Sequence, residues 1–111
     1  MKKILLFSCI LLLIGSAEAT EIKLSGAEIQ TILVNKILYG KDTEQIFQKS
    51  GATFYGAGGG QSQGNWKIEK DKYCSQWPPN QSWACYDITQ DGNKFTFISK
   101  DGNRTEMSIT K

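Results

Sequence analysis

The 111-residue chain contains no histidine. That absence removes the commonest general base, the Ser-His and Cys-His nucleophile pairs, and zinc sites built on imidazole. An excess of either charge is missing too: 13 basic and 11 acidic side chains give a net charge of +2. So even a balance argues against nucleic acid or an anionic membrane surface as partner. Beyond residue 14 there is no long apolar run, and the only prolines are the adjacent Pro78 and Pro79. No Gly-Lys-Ser/Thr step follows the glycine-rich segment 56–64, and a G-x-G-x-x-G pattern starting at Gly56 or Gly58 would need glycine where Gln61 or Gln63 stands. A phosphate cradle is therefore not encoded there, and the segment reads as a flexible loop between strands.

What is present begins with an export signal. Met1-Lys2-Lys3 precedes an apolar stretch from Ile4 to Ile14, broken only by Ser8 and Cys9, and Ala17-Glu18-Ala19 follows. A basic start, a short apolar core and an A-x-A site predict a signal peptide over 1–19, cut after Ala19. The run falls short of the ~20 residues that would span a bilayer. No stable membrane insertion of the remaining chain is expected. Removing Lys2, Lys3 and Glu18 leaves 11 basic and 10 acidic side chains, a net charge of +1. It also leaves Cys74 and Cys85, an even pair in an exported chain, which predicts a disulfide. Residues 20–111 then form a single stapled domain, periplasmic or secreted, and expected to be a monomer.

Ser25 and Glu28 make a capping box, and Ile29, Ile32 and Leu33 recur at helical spacing, so a helix is predicted over about 26–35. Ile37–Gly40 and Ala52–Gly56 read as strands, and 43–48 reads as a strand although Asp42-Thr43-Glu44-Gln45 could also cap a helical turn.

From Gly64 onward the residues support a register argument, because side chains opposite each other in an antiparallel pair share a face. A two-residue turn at Lys70-Asp71 sets Ile68 against Tyr73 and Trp66 against Ser75. Pairing Cys74 with Cys85 sets Tyr73 against Tyr86, Ser75 against Ala84 and Gln76 against Trp83, with a four-residue loop from Pro78 to Gln81. A turn at Asp91-Gly92 sets Ile88 against Phe95, and a three-residue loop at Asp101-Gly102-Asn103 sets Phe97 against Met107 and Phe95 against Ile109. One inner face results, running from Trp66 and Ile68 through Tyr73, Ala84, Tyr86, Ile88, Phe95 and Phe97 to Met107 and Ile109. The opposite face carries Lys67, Glu69, Asp87 and both cysteines. The predicted fold is α+β and mostly β: an N-terminal helix packed on a curved antiparallel meander sheet or small barrel of about six to eight strands.

The candidate binding edge is Trp77, Pro78, Pro79, Asn80 and Trp83. A Trp beside a rigid Pro-Pro loop can stack on a sugar ring or anchor a partner protein. Trp83 has the parity of Cys85, so it can equally cover the disulfide or lie beneath the helix. Asp87, Lys67 and Glu69 are expected to form a cross-strand charge ladder. A glycosidase pair would need a cleft and a carboxyl in an apolar setting, which an open polar face does not offer. Asp91 and Asp101 lack the spacing of a calcium loop and read as turn residues. Asn80-Gln81-Ser82 and Asn103-Arg104-Thr105 match the N-glycosylation pattern and are expected to stay unmodified in a bacterial protein. No cofactor, metal or catalytic residue is expected.

The chain resembles a family of small exported proteobacterial proteins catalogued as a domain of unknown function. The likeness lies in the Leu24-Ser25-Gly26-Ala27-Glu28 helix start, the Gly40-Lys41 step, Gly64-Asn65-Trp66, the run Asp71-Lys72-Tyr73-Cys74-Ser75-Gln76-Trp77, and Cys85-Tyr86 ahead of an Asp-Gly turn. That family implies no activity and no catalytic residue. Gly64-x-Trp66 is also similar to lipocalin-type barrels, whose eight full strands this chain is too short to supply. The functional expectation is a non-enzymatic exported domain that binds a protein or glycan through the Trp77–Trp83 edge. The alternatives are a hydrolase inhibitor inserting the Pro78–Gln81 loop, and a structural cell-envelope protein.

Overall fold

The computed structural model describes residues 20–111; the expected signal peptide, with Cys9, lies outside the described residues. A two-residue strand, β1 (Ile22–Lys23), leads into helix α1 (Gly26–Leu33). Eight strands follow: β2 (Ile37–Gly40), β3 (Thr43–Phe47), β4 (Ala52–Ala57), β5 (Gly60–Glu69), β6 (Lys72–Gln76), β7 (Ala84–Asp91), β8 (Lys94–Ser99) and β9 (Arg104–Ser108). Each pairs antiparallel with the next, and β9 returns to β2 through Tyr39 opposite Ser108, which closes an up-and-down barrel. Short strands and tight turns let so few residues complete eight strands, which the chain had seemed too short to supply. The stretch 43–48 resolves as strand as far as Phe47, and all of β3 pairs with β4.

The capping box forms as expected, with the Glu28 N–H donating to Ser25 Oγ and the Ser25 N–H to Glu28 Oε1. The helix ends sooner than its periodicity suggests, at Leu33, because Asn35 turns with φ 59 and donates its N–H to the Phe47 carbonyl. Gly26 presses on the β5–β6 turn so closely that a Cβ there would lie 2.2 Å from the Lys70 carbonyl oxygen. Its N–H donates to Asp71 Oδ1 at 2.7 Å, pinning the helix start to that turn. The helix therefore plugs one end of the barrel. Leu24, Ile29 and Leu33 join Phe47, Trp66, Tyr73, Ile88 and Phe95 in a core that the helix seals. Phe47 meets both Trp66 and Tyr73 edge-to-face, at centroid distances of 5.9 and 5.7 Å.

The register through Lys70-Asp71 and Cys74–Cys85 is the expected one, down to Trp66 opposite Ser75 and Tyr73 opposite Tyr86. Three expectations change. The ladder β6–β7 ends at Ser75–Ala84, so Gln76 does not face Trp83; its side-chain amide donates to the Gln81 carbonyl, and the loop is residues 77–83. The β7–β8 turn falls on Gly92-Asn93, with Gly92 at φ 64 as a type II′ turn requires, and Ile88 faces Phe97. In the β8–β9 hairpin Phe95 faces Met107, with Gly102 taking the positive φ. Both slips move the pairing by two positions, so every side chain keeps its face. Ile109 pays for the second one: it falls past the end of β9 and is 44% exposed. Ala84, at the upper end of the barrel, is exposed as well.

The glycine-rich segment is no flexible loop. β4 and β5 run into it from both sides and leave a two-residue turn at Gly58-Gly59, both with positive φ.

Candidate functional site

Following the strands upward from the helix, the inner lining changes character. Near α1 it is apolar. Toward the opposite end, inward positions carry Thr43, Gln45, Tyr55, Ser75, Trp77 and Tyr86. This end is open, with a cavity of about 590 Å³. That falls within the range of small-ligand sites, and eight-stranded barrels are wide enough to hold one small ligand. The wall is split at one seam. β2 turns away at Lys41-Asp42, where Asp42 has φ 56, so β9 above Ser108 loses its partner and Arg104–Glu106 border the opening.

A polar chain runs down the cavity wall. The Trp77 indole N–H donates to Ser75 Oγ at 3.2 Å, and Ser75 sits beside the Tyr73 phenol. Gln45 Nε2 donates to Tyr73 at 3.3 Å and to Thr53 Oγ1 at 3.0 Å, and Thr53 passes its own proton to the Ile46 carbonyl. Burial pushes the Tyr73 phenol up to about 12, against the opposing hydrogen bonds of Ser75 and Gln45. It stays a neutral hydroxyl.

Trp77 owes its position to a glycine. Its indole lies on Gly64, where a Cβ would come within 2.6 Å of the ring and of the Gln76 carbonyl oxygen. There it meets Tyr55 edge-to-face at 6.3 Å. Trp77 therefore belongs to the mouth, and Trp83 does not join it. Trp83 is 38% exposed on the outer wall, with the Lys67 ammonium 4.2 Å above its ring. The two tryptophans of the candidate edge thus face opposite sides of one wall. Between them Pro78, Pro79 and Asn80 are exposed in a braced loop: the Asn80 N–H donates to the Trp77 carbonyl and the Ser82 N–H to Asn80 Oδ1.

Cys74 and Cys85 form the disulfide on the outer wall, as an oxidising, non-cytoplasmic setting allows. Glu69 lies close enough that its carboxylate and both sulfurs fall within 4.8 Å of one another. With the sulfurs bonded to each other, that group holds no metal. The expected charge ladder has other members: Asp87 pairs with Lys72 at 2.8 Å and Lys23 at 3.8 Å, while Lys67 goes to Trp83. The Lys72 hydrogen bond holds the Asp87 carboxyl below the usual range. Asp91 accepts a hydrogen bond from Thr20. No helix among the described residues is long and apolar enough to cross a membrane.

Sequence reasoning missed Gln45, Thr43, Tyr55 and Ser75 as a group. They sit at inward positions of three strands, Thr43 and Gln45 on β3, Tyr55 on β4 and Ser75 on β6, so only closure of the barrel assembles them. The signal that could have found them is polar residues at core parity, with Ser75 opposite Trp66 the clearest case.

Comparison with protein-family models, with curated proteins and with solved structures found no match to this chain.

Proposed function

We propose that this chain is a non-enzymatic binding protein of the bacterial envelope, periplasmic or secreted, and that it holds its ligand in the mouth of the barrel. The observation that carries the reading is the two-ended barrel: helix α1 seals one end with apolar side chains, while the other opens into a cavity of about 590 Å³ lined by hydroxyls, an amide and aromatic rings. A concave opening with aromatic walls and a few polar groups has the make-up of a small-ligand site. The likeness to small exported proteins of unknown function, carried by Gly64-Asn65-Trp66 and the run from Asp71 to Trp77, implies export and no activity. A titration of isotope-labelled protein with a small-molecule extract of the cell envelope tests the reading. Amide shifts should cluster at Tyr55, Ser75, Trp77 and Tyr86. Shifts confined to residues 79–83 would move the site to the loop.

That loop sustains a second reading, an inhibitor that inserts Pro78–Gln81 into a hydrolase. Two hydrogen bonds within it and a third from Gln76 of β6 lower the entropy lost on docking. Inhibition of some hydrolase that Pro79→Gly weakens would establish it, and equal inhibition by the variant would dismiss it.

A further inference from the structure

We infer that the ligand of the barrel mouth is a neutral, hydroxylated ring, that is, one or two saccharide units; this deepens the reading of the mouth as the binding site and rests on it. Four features of the cavity select the class. First, no charged side chain occupies an inward position of the upper barrel. Lys41, Arg104 and Glu106 border only the seam, where Arg104 is already paired with Glu21 and Glu106 lies 3.7 Å from Lys94. A phosphate or carboxylate held deep in the barrel, beside Gln45 and Ser75 and away from Lys41 at the seam, would lose its hydration without gaining a partner, at a cost of several kcal/mol.

Second, the lining is not that of a lipid pocket. Both hydrogen bonds that Gln45 makes use Nε2, and among the described residues no buried side-chain oxygen or nitrogen lacks a partner, so Gln45 Oε1, which makes none, opens onto the cavity that the residue lines. Ser75 Oγ accepts from the Trp77 indole and shares a hydrogen bond with the Tyr73 phenol, which leaves one of its three hydrogen-bonding positions for a ligand. An acyl chain would strand these groups at about 1–3 kcal/mol each. Third, the polar groups on offer are neutral and few: Gln45 Oε1 gives an acceptor and Ser75 Oγ its one remaining position. A sugar hydroxyl, which both donates and accepts, satisfies either. Fourth, aromatic rings line the same cavity. Tyr55 and Trp77 meet edge-to-face at one side, and Tyr86 and Phe97 at the other with centroids 6.4 Å apart. Such rings stack on the C–H face of a pyranose. Only a ring that is neutral, hydroxylated at its edge and apolar on its faces uses all four features.

The test titrates the oxidised protein with N,N′-diacetylchitobiose, maltose and cellobiose, following the Trp77 indole N–H by NMR. Palmitate and glucose 6-phosphate serve as the apolar and charged probes. At least one neutral disaccharide should shift the Trp77 resonance saturably and leave Trp83 unmoved. Gln45→Leu and Ser75→Ala should each weaken that binding at least tenfold, whereas Trp83→Ala on the outer wall should leave it unchanged. Should palmitate or the hexose phosphate bind at Trp77 while the neutral sugars do not, the saccharide class is overturned and the mouth survives as the site. If no probe moves Trp77, the inference is overturned, and shifts at Trp77 from the envelope extract then decide separately whether the mouth binds anything. Thermal unfolding of each variant checks that a loss of binding is not a loss of fold.

Discussion

Replacing Gly64 with alanine should distort the mouth of the barrel while leaving its helix-sealed end intact. A methyl group built at residue 64 lies 2.6 Å from the Gln76 carbonyl oxygen and 2.6 Å from Trp77 Cε3, against ordinary contacts of 3.4–4 Å. The carbonyl belongs to the strand neighbouring β5 and yields little, so the indole must swing away and the ladder must part locally. Overpacking of this kind costs about 1–3 kcal/mol. The smaller entropy of the unfolded alanine chain offsets roughly 0.4–1 kcal/mol of that. A net loss of about 1–2 kcal/mol lowers Tm by roughly 4–16 °C in a domain of this size. Circular dichroism of the oxidised protein measures the shift, and NMR follows the Trp77 indole N–H, which should lose its 3.2 Å hydrogen bond to Ser75. Combining Gly64→Ala with Trp77→Leu removes the ring from the clash. The double variant should then be less destabilised than the two single changes add up to. An unmoved indole resonance together with a Tm within a degree of the parent would refute the packing argument.

Other predictions probe the sealed end and the outer wall. Cys74→Ser with Cys85→Ser removes the staple and should cost about 3 kcal/mol by the chain-entropy estimate, read from urea unfolding of the oxidised parent against the variant. Trp66→Phe removes the indole N–H that meets the Gln48 carbonyl at 2.8 Å and leaves a gap in the buried core, although that carbonyl keeps the Gly51 N–H; it should cost about 1–3 kcal/mol, whereas Trp83→Phe on the exposed wall should stay within ~0.5 kcal/mol; equal effects from the two would contradict the assigned burial. Tyr73 holds its proton up to about 12 in the folded chain, against an ordinary 10.0. Because the folded value is the higher one, this stabilisation is complete below pH 10 and is lost as pH rises from 10 to 12. Its size is on the order of 2–3 kcal/mol, and Tyr73→Phe should flatten that limb of the stability curve. Ultraviolet titration of the phenolates should show Tyr73 ionising near 12.

Much of the barrel is legible in local chemistry. The capping box at Ser25 and Glu28, the Lys70-Asp71 turn and the Cys74–Cys85 pairing each rest on residues close in sequence, and each appears as read. Face assignment was equally robust, because alternation has a period of two and survives a register slip of two. The slips occurred where Asp-Gly-Asn offers several equivalent turns. There the choice between Asp91-Gly92 and Gly92-Asn93 depends on how β8 sits in the closed wall, which no local signal reports. The glycine-rich segment misled for a related reason: Gly58 and Gly59 can serve a flexible loop or a tight hairpin, and pairing of β4 with β5 decides.

The sequence by itself determined a mostly β chain with one capped helix, a disulfide on the polar side and an aromatic inner face, since these follow from periodicity and short-range pairing. Tertiary structure alone decided that the sheet closes and that α1 plugs one end. It also brought Gln45, Tyr55, Ser75 and Trp77 around one opening. These residues lie on different strands or at their ends, and closure of the wall is what turns isolated inward polar positions into a shared cavity. The same closure divides Trp77 from Trp83, six positions apart, because the wall between them has an inside and an outside.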